Sequence, residues 1–500
     1  MLMKSPTQSL TQQLSARLAE RIRNRLLAPG VRLPSVRLCA QQQGVSISTV
    51  VAAYDQLQAQ GLVVARRNSG FFVRDHVLNP GSGQHQRAHT APESIATGAR
   101  RDSLPPAIDG ASAREGSVVL ASGAPPTSVD ATALIRSLFH AGDSKPQPGM
   151  GVFPPDWLET RFLSVAVRKF TSPAALSAWS LRYGDPAGDA SLRLALAGKL
   201  AAIDVPALPN QIVTSVGATH ALDIVSRTLL RPGDGVMVEE PGWAVEFARL
   251  DALGMRILPV PRQADGPDLA VMERYCQIHQ PKLFVSVSVL HNPTGGSLSP
   301  GRAHRLLRLA QAYDFRVVED DSYSLLAPEH ATRLSSLDGL QRTIYVGGFA
   351  KILVPGWRIG FLAASRDLAE RFIDTKMLST LSTPALLEQA LAWSITQGQL
   401  RRHAERIRNR LAQARGRSVK LALAHGCTFA AEPAGLFGWV DTGVDTDALA
   451  QRLLDVGYLI APGSLFHAVR KPSPLMRINF TTTQDAAFWL EFARLRDAMR

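Results

Sequence analysis

The chain has 500 residues, 45% hydrophobic and 19% charged, too long for one ordinary domain and typical of folded globular protein. No apolar run reaches the roughly 18 residues of a membrane span, no charged-then-apolar leader opens the chain, and Cys39, Cys276 and Cys427 are too scattered for a disulfide framework or a metal knuckle. A cytoplasmic protein without membrane or metal is therefore expected. The net charge is +13, and residues 1–75 hold ten Lys/Arg against three acids, a surplus of seven that points to a polyanionic partner.

Leu10, Leu14, Leu18, Ile22 and Leu26 recur four apart and predict an amphipathic helix over 8–28. LPSVRLCAQQQG (33–44) opens on Ser35 as N-cap and stops at Gly44, and VSISTVVAAYDQLQAQG (45–61) opens on Ser46 and stops at Gly61. Two helices joined by a glycine turn suit a helix-turn-helix. Val50, Val51, Tyr54 and Leu57 read as its core. GLVVARRNSGFFV (61–73) reads as a hairpin with arginines near its tip, a wing able to enter a minor groove.

Residues 76–112 are rich in Gly, Pro, Ser and Ala without periodicity and read as a linker. Beyond them strand-length runs alternate with helical patterns: IVTSV (212–216), VMVEE (236–240), LFVSVSVL (283–290), FRVVED (315–320), TIYVGG (343–348) and IGFLAA (359–364). That alternation predicts a mostly parallel sheet covered by helices on both faces. From residue 386 the helices lengthen and the strands weaken, which predicts a smaller α+β domain.

The chemistry-bearing residues cluster at predicted strand ends, where open α/β sheets bind ligands. Gly217, Ala218 and Thr219 open a helix after a strand, an anion site in backbone N–H groups. Trp243 offers a flat indole, and Asn292 of HNPTGG offers a polar group to a ring oxygen. Asp320 and Tyr323 lie three apart in VVEDDSY. An aspartate on a pyridine nitrogen keeps it protonated and makes the ring an electron sink. Lys351, in YVGGFAKILVPGWRIG, follows two glycines in an apolar stretch that favours a neutral, nucleophilic amine. Arg358 offers a guanidinium fork for a phosphate.

The first 75 residues resemble the GntR-type winged helix-turn-helix through PGVRLPSVR, VSISTVVAAYDQL and GLVVARRNSGFFV. The resemblance implies Arg37 on base or phosphate, Ser46, Ser48 and Thr49 at the start of the recognition helix, and Arg66, Arg67 and Gly70 in the wing contact. Where that family commonly has a basic residue after the first serine, this chain has Ile47.

Residues from about 115 resemble a fold-type I aminotransferase, which uses pyridoxal 5′-phosphate. The resemblance implies Lys351 as the Schiff-base lysine holding an internal aldimine, Asp320 on the pyridine nitrogen, Trp243 on the ring face, and Asn292 and Tyr323 at the phenolic oxygen. It also implies Ala218, Thr219 and Arg358 on the phosphate, Arg477 of MRINF on a substrate or effector carboxylate, and Tyr183 of YGDPAG reaching the phosphate of a partner subunit in a homodimer. The family usually places Ser or Thr a few residues before the lysine; here Gly348 and Gly347 stand three and four residues before it, and Ala350 stands where Ser is frequent.

Head, linker and body in this order resemble the MocR subfamily of transcription regulators. The expected fold is a mainly α winged helix-turn-helix (1–75), a linker (76–112), an α/β fold-type I body (113–385) and a smaller C-terminal α+β domain (386–500). The expected function is a regulator that binds operator DNA and senses an amino acid, amine or B6 vitamer at Lys351. A catalytically active aminotransferase carrying a DNA-binding head stays open as the alternative.

Overall fold

The computed structural model describes residues 9–23, 27, 30–66, 69–74 and 147–500. The linker at 76–112 and Arg67 lie outside them. The chain forms two compact units, a head and a body.

In the head, α1 (Leu10–Arg23) buries Leu14, Leu18 and Ile22 along one stripe. Helix α2 (Val36–Gln43) is capped by Ser35, whose side chain accepts from the Leu38 N–H, and ends on left-handed Gly44. Helix α3 (Ile47–Ala59) starts at Ser46, which accepts from the Thr49 N–H. Strands β1 (Val63–Arg66) and β2 (Gly70–Val73) form the wing, with Arg66 opposite Gly70. A bridge from Arg32 to Phe72 adds a third strand one residue long.

Tyr54 joins these parts. Its ring stands edge-on to Phe71 at 5.1 Å and its hydroxyl donates to the Pro34 carbonyl at 2.9 Å. Val50, Tyr54 and Leu57 are fully buried, as expected, but Val51 is 40% exposed. Positions 50, 54 and 57 share one helical face and 51 turns off it.

The body is built on an eight-stranded sheet of β3 (Ile212–Ser215), β4 (Gly235–Glu240), β5 (Arg256–Gln263), β6 (Gly266–Pro267), β7 (Leu283–Ser286), β8 (Arg316–Asp320), β9 (Thr343–Gly348) and β10 (Gly360–Ala363). Their order is β3-β10-β9-β8-β7-β4-β5-β6. The central pairs β5/β4, β4/β7, β7/β8 and β8/β9 are parallel, whereas β10 runs antiparallel to both neighbours. Strand alternation feeds two cores. Val236, Val238, Val318, Ile344 and Val346 pack toward the helices Ala218–Leu229 and Arg366–Thr380, while Met237, Phe284 and Val317 pack toward Leu269–His279 and Pro300–Ala312.

LFVSVSVL does not run as a strand to 290. Strand β7 stops at Ser286, because the Val287 N–H donates to the Glu239 carboxylate at 3.1 Å and Leu290 turns left-handed at φ 50°.

A second, four-stranded antiparallel sheet has the order β11 (Thr428–Phe429), β12 (Phe437–Asp441), β14 (Leu475–Asn479), β13 (Ala461–Pro462). The helices Gln399–Ala424, Thr446–Asp455 and Ala486–Asp497 share its core. Phe153 and Trp157 belong to that core too, so the first described stretch of the body packs on the second sheet. The helix Ala385–Thr396 instead puts Leu391 and Ala392 into the cluster holding Leu192 and Phe361.

Candidate functional site

Lys351 lies three residues beyond the end of β9, half-buried, with Nζ donating to the Gly151 carbonyl at 3.1 Å. Burial first, then the Arg477 charge, lowers its pKa to about 8 against the opposing pull of Asp320. More of the amine is therefore neutral at physiological pH than in a free lysine.

Arg477 rises from the middle of β14 into the same cleft. Its Nη2 donates to the Gly149 carbonyl at 2.6 Å and its Nη1 to Asn292 Oδ1 at 2.9 Å. The guanidinium sits 4.4 Å over the Phe437 ring and 5.2 Å from that of Phe466. Its Nε is buried with no partner, and burial lowers its pKa to about 10. A buried guanidinium with an unused donor and aromatic walls has the chemistry to accept a carboxylate.

Three acids in a row, Glu319, Asp320 and Asp321, span the end of β8, and alternation separates their duties. Glu319 accepts from the backbone N–H groups of Leu334 (2.6 Å) and Ser335 (2.8 Å), and Asp321 pairs with Arg333 at 2.6 Å and accepts from the Tyr345 hydroxyl at 3.0 Å. Only Asp320 faces the cavity that Trp243, His291 and Val285 also line. Burial raises its pKa to about 6 even though the Ser322 N–H donates to it at 3.0 Å and the Ser322 hydroxyl at 2.5 Å. A carboxylate in that position is stabilised by a cationic partner. Tyr323 is buried edge-on to Phe437 at 5.6 Å, and burial raises its phenol above the ordinary range.

What holds this floor in place carries no local motif. Glu239, at the end of β4, pairs with Arg262 at 2.5 Å and meets His291 Nε2 at 3.3 Å. Burial and the Arg262 charge push His291 down to about 4, so its ring is neutral, and its Nδ1 lies 2.9 Å from Thr294 Oγ1. The loop that presents Asn292 is thus anchored from beneath. The only trace in the sequence is the doubled acid in VEEPGW.

The helix Ala218–Leu229 begins beyond β3 with no side-chain cap. Gly217 has φ 82°, and a Cβ there would stand 2.7 Å from Arg358 Nη2; one on Gly360 would stand 2.4 Å from the Gly217 carbonyl carbon. Gly217 is held to glycine by its left-handed φ, and Gly360 is needed so that β10 can pass directly beneath the helix start. Arg358 is exposed and donates through Nη2 to the Val216 carbonyl at 3.2 Å. The first-turn N–H groups of Ala218 and Thr219, with this guanidinium beside them, have the chemistry to hold a dianion.

The two glycines before the lysine differ. A Cβ on Gly347 would strike the Phe361 ring at 2.7 Å, whereas one on Gly348 would rest 3.5 Å from the Ala218 Cβ, in ordinary contact. Gly348→Ser is expected to add a phosphate donor and tighten pyridoxal phosphate retention about tenfold, as one hydrogen bond to a charged group allows. Equilibrium dialysis checks this, and Gly347→Ser provides the destabilised contrast.

Tyr183 is 86% exposed, so its ring is not buried by its own subunit. In the head, Arg37 is exposed on α2 and Arg66 is exposed on the wing, 4.5 Å over the Phe72 ring. Ser48 and Thr49 hydroxyls both lie 2.8 Å from Ser46 Oγ. Gly70 has φ 99°, and Arg32, which sequence reading passed over, is its neighbour: a Cβ on Gly70 would be 3.2 Å from Arg32 Nε. Arg37→Ala is expected to weaken binding of operator duplex by about 1–3 kcal/mol at fixed salt, measured by fluorescence anisotropy.

Residues 159–488 match the family "Aminotransferase class I and II". The chain belongs to that family. Residues 10–73 match "Bacterial regulatory proteins, gntR family", so a DNA-binding head precedes the aminotransferase fold, the architecture of MocR-type transcription regulators. The HTH-type transcriptional regulator YdcR of Escherichia coli is 28% identical over 94% of each chain. The HTH-type transcriptional regulator TauR of Rhodobacter capsulatus is 28% identical over 98% of this chain and 97% of its own. The multiple substrate aminotransferase of Thermococcus profundus has a solved structure that superposes with a TM-score of 0.65 at 27% identity, covering 73% of this chain and 93% of its own. The protein is thus a transcription regulator whose body has the aminotransferase fold of pyridoxal phosphate proteins.

Proposed function

We propose that the body binds pyridoxal 5′-phosphate at Lys351 and reports an amino acid, amine or B6 vitamer to the DNA-binding head. The observation that carries this reading is that Lys351 and Arg477 reach carbonyls only two residues apart, Gly151 and Gly149, on one strap. A nucleophilic amine and a carboxylate receptor therefore share one cleft.

The residues fit the cofactor. Ala218, Thr219 and Arg358 would hold its phosphate, Trp243 its ring face, Asp320 its ring nitrogen, and Asn292 and Tyr323 its phenolic oxygen. When bound, the cofactor supplies an aldehyde and an electron-accepting ring. Lys351 Nζ, unprotonated above about pH 8, would be the group that holds the cofactor through its aldehyde carbon. Asp320, whose burial disfavours a lone negative charge, would be stabilised by a protonated ring nitrogen and would keep it protonated. Arg477 binds and orients the effector through its carboxylate.

In a homodimer, Tyr183 would reach the partner subunit's phosphate, and two heads would meet two half-sites of an operator in the cytoplasm. The effector changes DNA binding only to the degree that it binds two conformations of the body differently. The second reading, an active aminotransferase with a DNA-binding head, is favoured by the completeness of the Lys351, Asp320 and Arg477 set.

The test is a spectral titration of purified protein with pyridoxal phosphate, then with amino acids, amines and vitamers, with operator binding followed in parallel. The regulator reading expects a cofactor spectrum that one ligand class shifts together with DNA affinity. Sustained turnover of an amino acid with a keto acid, without change in DNA binding, would select the second reading. Protein that stays colourless would overturn both.

A further inference from the structure

We infer that Ile47 and Val51 read thymine C5-methyl groups in the major groove of the operator. This goes beyond the DNA-binding reading of the head and rests on it.

The two side chains lie one turn apart on the same stripe of α3 and are 54% and 40% exposed. They are not part of the packed face, which is Val50, Ala53, Tyr54 and Leu57, all fully buried. The hydroxyls beside them are largely committed to the cap. Ser46 Oγ accepts from the Thr49 N–H at 3.1 Å, and the Ser48 and Thr49 hydroxyls sit 2.8 Å from it. The first two turns of this helix therefore present branched apolar groups where a polar reader would be expected.

Charge decides the occupant. Residues 1–75 carry a surplus of seven positive charges, and Arg37 and Arg66 are exposed in the same head. That is a surface for a polyanion. In a major groove, the apolar group that a base edge offers is the thymine methyl. Asp55, exposed one turn beyond Val51 on the same stripe, repels phosphate and leaves the N-terminal end of α3 as the reading end.

The experiment uses the full chain. Duplexes enriched from a random-sequence pool are remade with deoxyuridine for thymidine at one position at a time, which removes only the 5-methyl group. The expected result is a loss of roughly fourfold at one or two thymidines per half-site, the size of one buried methyl-sized group. Ile47→Ala and Val51→Ala should erase that difference with unchanged circular dichroism, and Ile47→Arg should move the preference at its position from thymine to guanine. Selective binding that is insensitive to every deoxyuridine overturns the inference and leaves the DNA-binding head intact. A pool with no enriched sequence overturns both. An Ile47→Ala protein with unaltered DNA binding but altered sedimentation would assign the pair to a protein contact instead, and also overturns it.

Discussion

Lys351→Ala is expected to abolish the borohydride-reducible adduct with pyridoxal phosphate and the absorbance band that accompanies it, while the circular dichroism spectrum is kept. A retained adduct would move the covalent site to another lysine. The wild-type chain adds a pH signature. Below about pH 8 Lys351 is protonated and cannot attack; above it the amine is free, so the capture rate should rise through about 8, where an ordinary lysine would require a pH near 10.5. Stability carries the same sign. Folding lowers this pKa, so the fold disfavours the charged form, and the cost grows as pH falls from 10.5 toward 8 and stays constant below. Apo Lys351→Ala should therefore melt no lower than wild type at neutral pH.

Arg477→Gln is expected to lower affinity for a carboxylate-bearing effector about 100-fold, close to 3 kcal/mol for charge-assisted bonds in a buried setting, with the cofactor spectrum retained. An amino acid and its amide should differ strongly in titrations of wild type and little in the variant. The same substitution removes the charge that, after burial, does most to depress Lys351, so the midpoint of the capture profile should move upward from about 8. A midpoint that stays fixed would place Arg477 outside the cleft of Lys351.

Much of this site was legible because strand ends announce themselves. Asp320, Tyr323, Lys351 and the start of the helix at Ala218 all follow short β-branched runs, and the parallel sheet places them side by side. The head was legible from caps and stops at Ser35, Gly44 and Ser46. What sequence left out has physical reasons. Glu239 and His291 meet across 52 positions, and neither carries a local pattern that reveals the other. Val51 differs from Val50 only in helical phase. LFVSVSVL has strand composition throughout, but a side-chain carboxylate takes the N–H that a ladder would have used at Val287. The strap at Gly149 and Gly151 works through carbonyl oxygens, which every residue possesses.

That strap makes the protein its own competitor. Arg477 Nη2 already serves the Gly149 carbonyl, and Asn479 Nδ2 holds the strap by donating to Met150 O at 2.9 Å and Val152 O at 2.8 Å. A carboxylate bound through both Nε and Nη2 of Arg477 would have to displace the Gly149 oxygen from Nη2. Its affinity would then be the intrinsic one reduced by the free energy of that exchange, so changes at Asn479, which holds the strap, would tune the concentration at which an effector acts.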